Sequence, residues 1–232
     1  ARTGSSSPIP SDTMDLSYIV TTFLRVGTGL GTTLKLFFIT ILVSLPLGFL
    51  ITMLMRCVIP PLRWLARCFV YLMRSTPLVL QLLFLYFGLP YLPVVGGYFS
   101  TMGRFTATIW GFVLNYAAYF AEIFRGGLLA VDPGQYEAAK VLGLTRRQTI
   151  LRIVVPQMLR VAMPSISNET ITLVKDTSLM FTLAVPEVLQ FAKSAVSSTG
   201  KTFPFVAAGI IYLLMNLVIT WLLKILEKRF DY

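Results

Sequence analysis

Apolar residues in this 232-residue chain gather into long runs instead of alternating or marking one face of a helix. Crossing a bilayer takes about 20 mostly apolar residues in a helix. Five runs are long enough, at roughly 28–55, 64–88, 104–127, 157–177 and 205–226, and they predict an all-α integral membrane protein with five transmembrane helices. Between the third and fourth runs the pattern changes to EAAKVLGLTRRQTILRIVVP, Glu137 to Pro156. Asp132, Pro133 and Gln135 supply a helix start, with Asp132 as cap, Pro133 in the first turn and Gln135 completing a capping box. Gly143 suits the left-handed residue that ends a helix. The predicted helix, about 133–143, is far too short to span. Thr145 and Gln148 then restart a second helix that leads into the fourth span. The short helix offers Glu137, Ala138, Ala139 and Lys140 and has no strong apolar face. Small residues allow another surface to come close, and docking into a groove of a partner protein fits it better than lying on the membrane.

Composition agrees with a membrane protein: 56% of residues are hydrophobic and 13% charged, against about 25% charged in soluble domains. The net charge of +10 would point to nucleic acid in a soluble protein. In a membrane protein Lys and Arg collect in cytoplasmic connections, so no nucleic-acid partner is expected. Arg56, Arg63 and Arg67 lie between the first two runs. Arg125, Lys140, Arg146, Arg147 and Arg152 lie around the third connection, and Lys228 and Arg229 in the tail. These predict the N-terminus outside and the C-terminus in the cytoplasm. Cys57 and Cys68 flank a connection on the cytoplasmic side, so reduced thiols are expected. There is no His, which excludes His-ligated metal sites and His-based catalysis. Residues 1–20, polar in their first fifteen (ARTGSSSPIPSDTMD), read as a lead-in or linker without the basic start and apolar middle of a signal peptide. Residues 21–232 form the membrane domain.

AVSSTGKT at 195–202 is one residue short of a phosphate-binding loop, with Ala195 in place of the first Gly. Such a loop needs a strand before it and a helix after it. Here FPF follows, and the segment falls on the outer side. The chain is therefore expected to bind no nucleotide or other cofactor itself.

EAAKVLG, followed by Ile153 and Pro156, resembles the EAA motif of type I ATP-binding cassette importer permeases. MRSTPLVLQLLFLYFGLP (73–90), LNYAAYFAEIFRGGL (114–128), SNE (167–169) and LVKDTSLM (173–180) resemble the polar amino acid subfamily, with Ser75 and Ser167 where Gly is expected. The resemblance covers nearly everything after residue 25. It implies the type I permease fold and makes the segment around Glu137, Ala138, Ala139 and Gly143 the coupling helix. It also implies a second permease, identical or related, two ATPases carrying ATP and magnesium, an extracytoplasmic amino-acid-binding protein, and a bacterial cytoplasmic (inner) membrane. An ion-coupled secondary transporter also uses charges within spans, but internal repeats and more spans would then be expected.

Moving a zwitterionic amino acid through hydrocarbon requires partners for both its charges. Ser165, Asn168, Glu169, Thr172 and Asp176 share one face of the fourth span. Asn115, Tyr119 and Glu122 are spaced alike on the third, and Arg74 and Gln81 lie one heptad apart on the second. Glu169, Asp176, Arg74, Asn115 and Thr172 are the candidate substrate contacts. The alternative is structural: helix–helix hydrogen bonds through Asn115, Tyr119 and Gln81, an ion pair of Arg74 with Glu169, and a local pair of Glu122 with Arg125. Acidic groups outnumber basic ones, which favours a cationic amino acid such as arginine, lysine or histidine.

Overall fold

A computed structural model describes residues 15–94 and 96–229. Every regular element among the described residues is helical. In chain order they are α1 (Leu16–Gly27), α2 (Leu30–Met55), α3 (Pro60–Ser75), α4 (Leu78–Leu83), α5 (Gly96–Phe99) and α6 (Arg104–Leu129). There follow α7 (Gly134–Val141), α8 (Arg146–Thr149), α9 (Val155–Asp176), α10 (Val188–Thr199) and α11 (Phe203–Glu227).

The bundle is organised around α2 and α6. A Cβ on Gly48 would sit 2.8 Å from Phe120 Cβ and 2.9 Å from the Ala117 carbonyl, so the two backbones approach closely there. Thr52 ties them by donating to the Gly48 carbonyl at 2.9 Å and the Ala121 carbonyl at 2.8 Å. α6 is less apolar than α2 and α11, and it faces protein on most sides. Phe112, Ala117, Ala118, Phe120 and Ala121 are fully buried, and α2, α3 and α9 pack around it. At a rise of 1.5 Å per residue its 26 residues measure about 39 Å, enough to cross about 30 Å of hydrocarbon.

By length and composition three helical runs qualify as membrane spans, Leu16–Met55, Arg146–Leu183 and Phe203–Glu227. The second predicted span is broken: Pro60–Ser75 and Leu78–Tyr91 meet at 109°. Pro77 causes the break, since it has no N–H and drives the residue before it out of the helical region. Thr76 accordingly has φ −117° and ψ 143°.

Two predicted boundaries shift. α1 starts at Leu16, inside the segment read as a lead-in, and α1 and α2 together form a 40-residue run. Its 40 residues amount to about 60 Å of helix, twice the hydrocarbon thickness, divided by a turn at Thr28–Gly29. The fourth run begins at Arg146, where Thr145 and Gln148 form the predicted capping box, and reaches the membrane through a π-helical turn at Ile150–Val154. Residues 1–14 of the lead-in lie outside the described residues.

Candidate functional site

The break at Pro77 leaves backbone carbonyls of α3 without helical partners, and side chains of two other elements supply them. The Gln81 amide donates to the Met73 carbonyl (2.9 Å), the Thr76 carbonyl (3.1 Å) and the Thr76 hydroxyl (2.7 Å). Asn115, on α6, donates to the Met73 carbonyl at 3.1 Å and to Gln81 Oε1 at 3.0 Å. Unpaired backbone groups are tolerated at membrane depth only where such partners or a cavity exist. Asn115 and Gln81 thus perform the structural task anticipated as their alternative role.

A cavity of about 410 Å³ opens beside this knot, walled by Thr76, Pro77, Asn115, Tyr116, Glu169, Thr172 and Asp176 among others. Four of the five candidate substrate contacts (Asn115, Glu169, Thr172 and Asp176) therefore come together. The fifth, Arg74, lines an adjoining cavity of about 350 Å³ with Glu122 and Ser165, and the two cavities share Tyr119 and Glu169. Glu169 and Asp176 project inward because residues seven apart fall two turns apart on one helix face.

The charges are distributed unevenly. Arg74 does not form the anticipated pair with Glu169; its guanidinium stands 3.8 Å from Glu122 and over the ring of Tyr119, 5.5 Å from the centroid. Glu122 is also held by Arg125, whose Nε donates to it at 2.9 Å and whose Nη2 forms a second, shorter contact. This is the local pair expected three residues apart. Asp176 accepts a hydrogen bond from the Tyr116 hydroxyl at 2.8 Å. Among the described residues no cation lies within ion-pair distance of Glu169 or Asp176. Tyr116 was missed in the sequence. The signal available was a phenol one residue beyond Asn115 and three before Tyr119, on a helix already carrying polar groups.

At the opposite end of α6 the charged block forms α7. Asp132 Oδ1 accepts from the Gly134 N–H at 2.6 Å, but the capping box does not close. Gln135 instead accepts from Gln157 Nε2 at 3.2 Å, which fastens the helix to α9. Gly143 has φ +71°, and Leu144 N–H returns to the Ala139 carbonyl at 3.0 Å, the predicted left-handed ending. Glu137, Ala138 and Lys140 are exposed. Ala139 was expected to do so but is buried, 1% exposed. Val141 and Leu142 project instead, 87% and 75% exposed. The segment resembling a phosphate-binding loop falls on the end of α10, so a helix and not a strand precedes Gly200.

A broken span, a central polar helix and an intramembrane pocket carrying acids, joined to an exposed helix at one end, define a transport pore subunit. Residues 44–232 match the family of binding-protein-dependent transport system inner membrane components, and the chain belongs to it. The octopine transport system permease protein OccM of Rhizobium radiobacter is 36% identical over 220 residues, which is 92% of this chain and 89% of that protein. The arginine transport system permease protein ArtQ of Bacillus subtilis (strain 168) is 33% identical over 217 residues, 93% and 97% of the two chains. A solved structure described as an amino acid ABC transporter with histidines has a TM-score of 0.83 at 32% identity and covers 94% of this chain and 99% of its own. The MetNI methionine ABC transporter is similar in fold, with a TM-score of 0.69 at 19% identity and coverage of 94% and 99%.

Proposed function

We propose that this chain is the membrane permease subunit of an ATP-driven importer of polar amino acids, with a cationic amino acid as cargo. Relatives named for arginine, octopine and L-cystine support the substrate class. The carrying observation is the pocket: Glu169 and Asp176 reach one cavity with Thr172, Asn115 and Tyr116, while the nearby cation, Arg74, is turned to Glu122 and Tyr119. Two carboxylates in low dielectric need a positive partner, and a cationic amino acid carries two positive groups. Its carboxylate meets Arg74 across the shared wall, since Asn115 already donates to Met73 and Gln81 and the Thr172 hydroxyl to the Asn168 carbonyl.

Five spans, N-terminus outside and C-terminus in the cytoplasm, place this pocket at mid-membrane and α7 in the cytoplasm of a bacterial inner membrane. A second permease completes the path, and an extracytoplasmic binding protein delivers the amino acid. Two ATPases, which carry the ATP and magnesium, receive the two copies of α7. Glu137 and Ala138 belong to the docking face, Gly143 fixes where the helix stops, and Ala139 is buried. Radiolabelled arginine, glutamine and glutamate offered to the purified complex without its binding protein test the substrate reading. Arginine is expected to bind and glutamate not. Saturable glutamate binding that excludes arginine overturns the cationic assignment.

A further inference from the structure

A second cavity, of about 750 Å³, lies outside the proposed substrate pocket, between the end of α2, α7 and the start of α8. Arg56, Lys140 and Arg146 line it with no acidic residue among its walls, and the rest is mostly apolar: Met53, Val58, Leu128, Leu144, Ile150 and Val154. Three separate segments bring these cations together. Among the described residues none of the three forms an ion pair.

The position matters as much as the charge. Arg56 directly follows the last turn of α2, where a spanning helix leaves the hydrocarbon. Apolar residues next to this level remain uncovered on the surface: Val58, Ile59, Trp64, Leu65 and Leu151. Trp at such a level marks the headgroup region. All three cations are exposed, and clustered cations at a membrane surface attract anionic headgroups. A small soluble anion would satisfy the charge and leave six apolar walls wet. An anionic phospholipid satisfies both, its phosphodiester among the cations and its acyl chains along the walls.

We propose that this cavity is a binding site for an anionic phospholipid, with Arg56, Lys140 and Arg146 holding the phosphate. The lipid fills the space between α7 and the spanning bundle and so supports the exposed helix from behind. Each cation near a membrane surface contributes about 1 kcal/mol toward an anionic lipid, so removing two should weaken binding roughly 25-fold.

The test uses the complete complex purified with its ATPase, titrated with phosphatidylglycerol or phosphatidylcholine and read by native mass spectrometry. Saturable phosphatidylglycerol binding is expected, reduced roughly 25-fold in Arg56→Gln/Arg146→Gln and little changed in Arg67→Gln/Arg152→Gln, which removes as many charges from the same region outside the cavity. Circular dichroism confirms that each variant is folded. Equal retention by the two double variants overturns the proposal, as does equal binding of the neutral lipid. Displacement of the bound lipid by millimolar inorganic phosphate would assign the site to a soluble anion instead. Lipid binding by the isolated permease that disappears in the complex would assign the cavity to the ATPase.

Discussion

Asp176 and Tyr116 form the smallest unit on which the substrate reading rests. Asp176→Asn keeps size and hydrogen-bonding capacity and removes only the charge. A charge-assisted contact contributes about 1.5–3 kcal/mol, so amino-acid affinity at the purified complex should fall about 10- to 150-fold, measured by equilibrium binding. Tyr116→Phe removes one donor to the carboxylate at 2.8 Å and leaves the charge, so a smaller loss, within about tenfold, is expected. If Asp176 served only assembly, the Asn variant would purify poorly and bind normally. The side chains of this site were largely legible in the sequence, because charges within an apolar run carry a cost that helical spacing then assigns to one face. What the sequence withheld was pairing. Arg74 had two acids in reach, and the fold sets it 3.8 Å from Glu122. Ala139 was misread for a related reason: a methyl group gives no signal of whether it faces a partner or its own bundle.

At the level of elements, the broken second span was hidden by its own composition, since residues 64–88 are mostly apolar and Pro77 read as one more residue of a continuous helix. The break depends on Asn115 and Gln81 together. Asn115→Ala should cost about 1–2 kcal/mol, between the usual penalty for a buried unpaired acceptor and the smaller values measured for hydrogen bonds between membrane helices. Thermal unfolding in detergent checks this, and a loss above that of Thr172→Ala would identify Asn115 as a clamp first and a substrate contact second. The α2–α6 contact permits a matched pair of changes. Gly48→Ala forces a methyl group to within 3 Å of Phe120 and the Ala117 carbonyl, and overpacking of this kind costs about 1–3 kcal/mol. Gly31→Ala, in the same helix with nothing within 4 Å, should be neutral or stabilising by up to about 1 kcal/mol through helix propensity. Equal melting temperatures for the two would mean that the close approach is not maintained in the membrane.

For the whole molecule the question is how a change at α7 reaches the pocket. α7 is tied to α9 by the hydrogen bond from Gln157 to Gln135, and α9 also carries Glu169 and Asp176. Under the proposed reading, a push on α7 reaches the two pocket acids through a single helix. Glu137 is exposed, and its charge contributes only about 0.3–1 kcal/mol near a helix start. Glu137→Lys should leave the permease inserted and its melting temperature nearly unchanged, yet abolish the ATP hydrolysis stimulated by loaded binding protein. Gly143 supplies the discriminating pair. At φ +71° a side chain costs about 1–2 kcal/mol, but Asn tolerates this region far better than most residues. Gly143→Asn should keep much of the stimulated activity and Gly143→Val lose it, with both proteins folded by circular dichroism. Glu137→Lys at full stimulated activity, or Asn and Val behaving alike at Gly143, would separate the exposed helix from coupling. The contact between permease and ATPase would then have to lie elsewhere on that face.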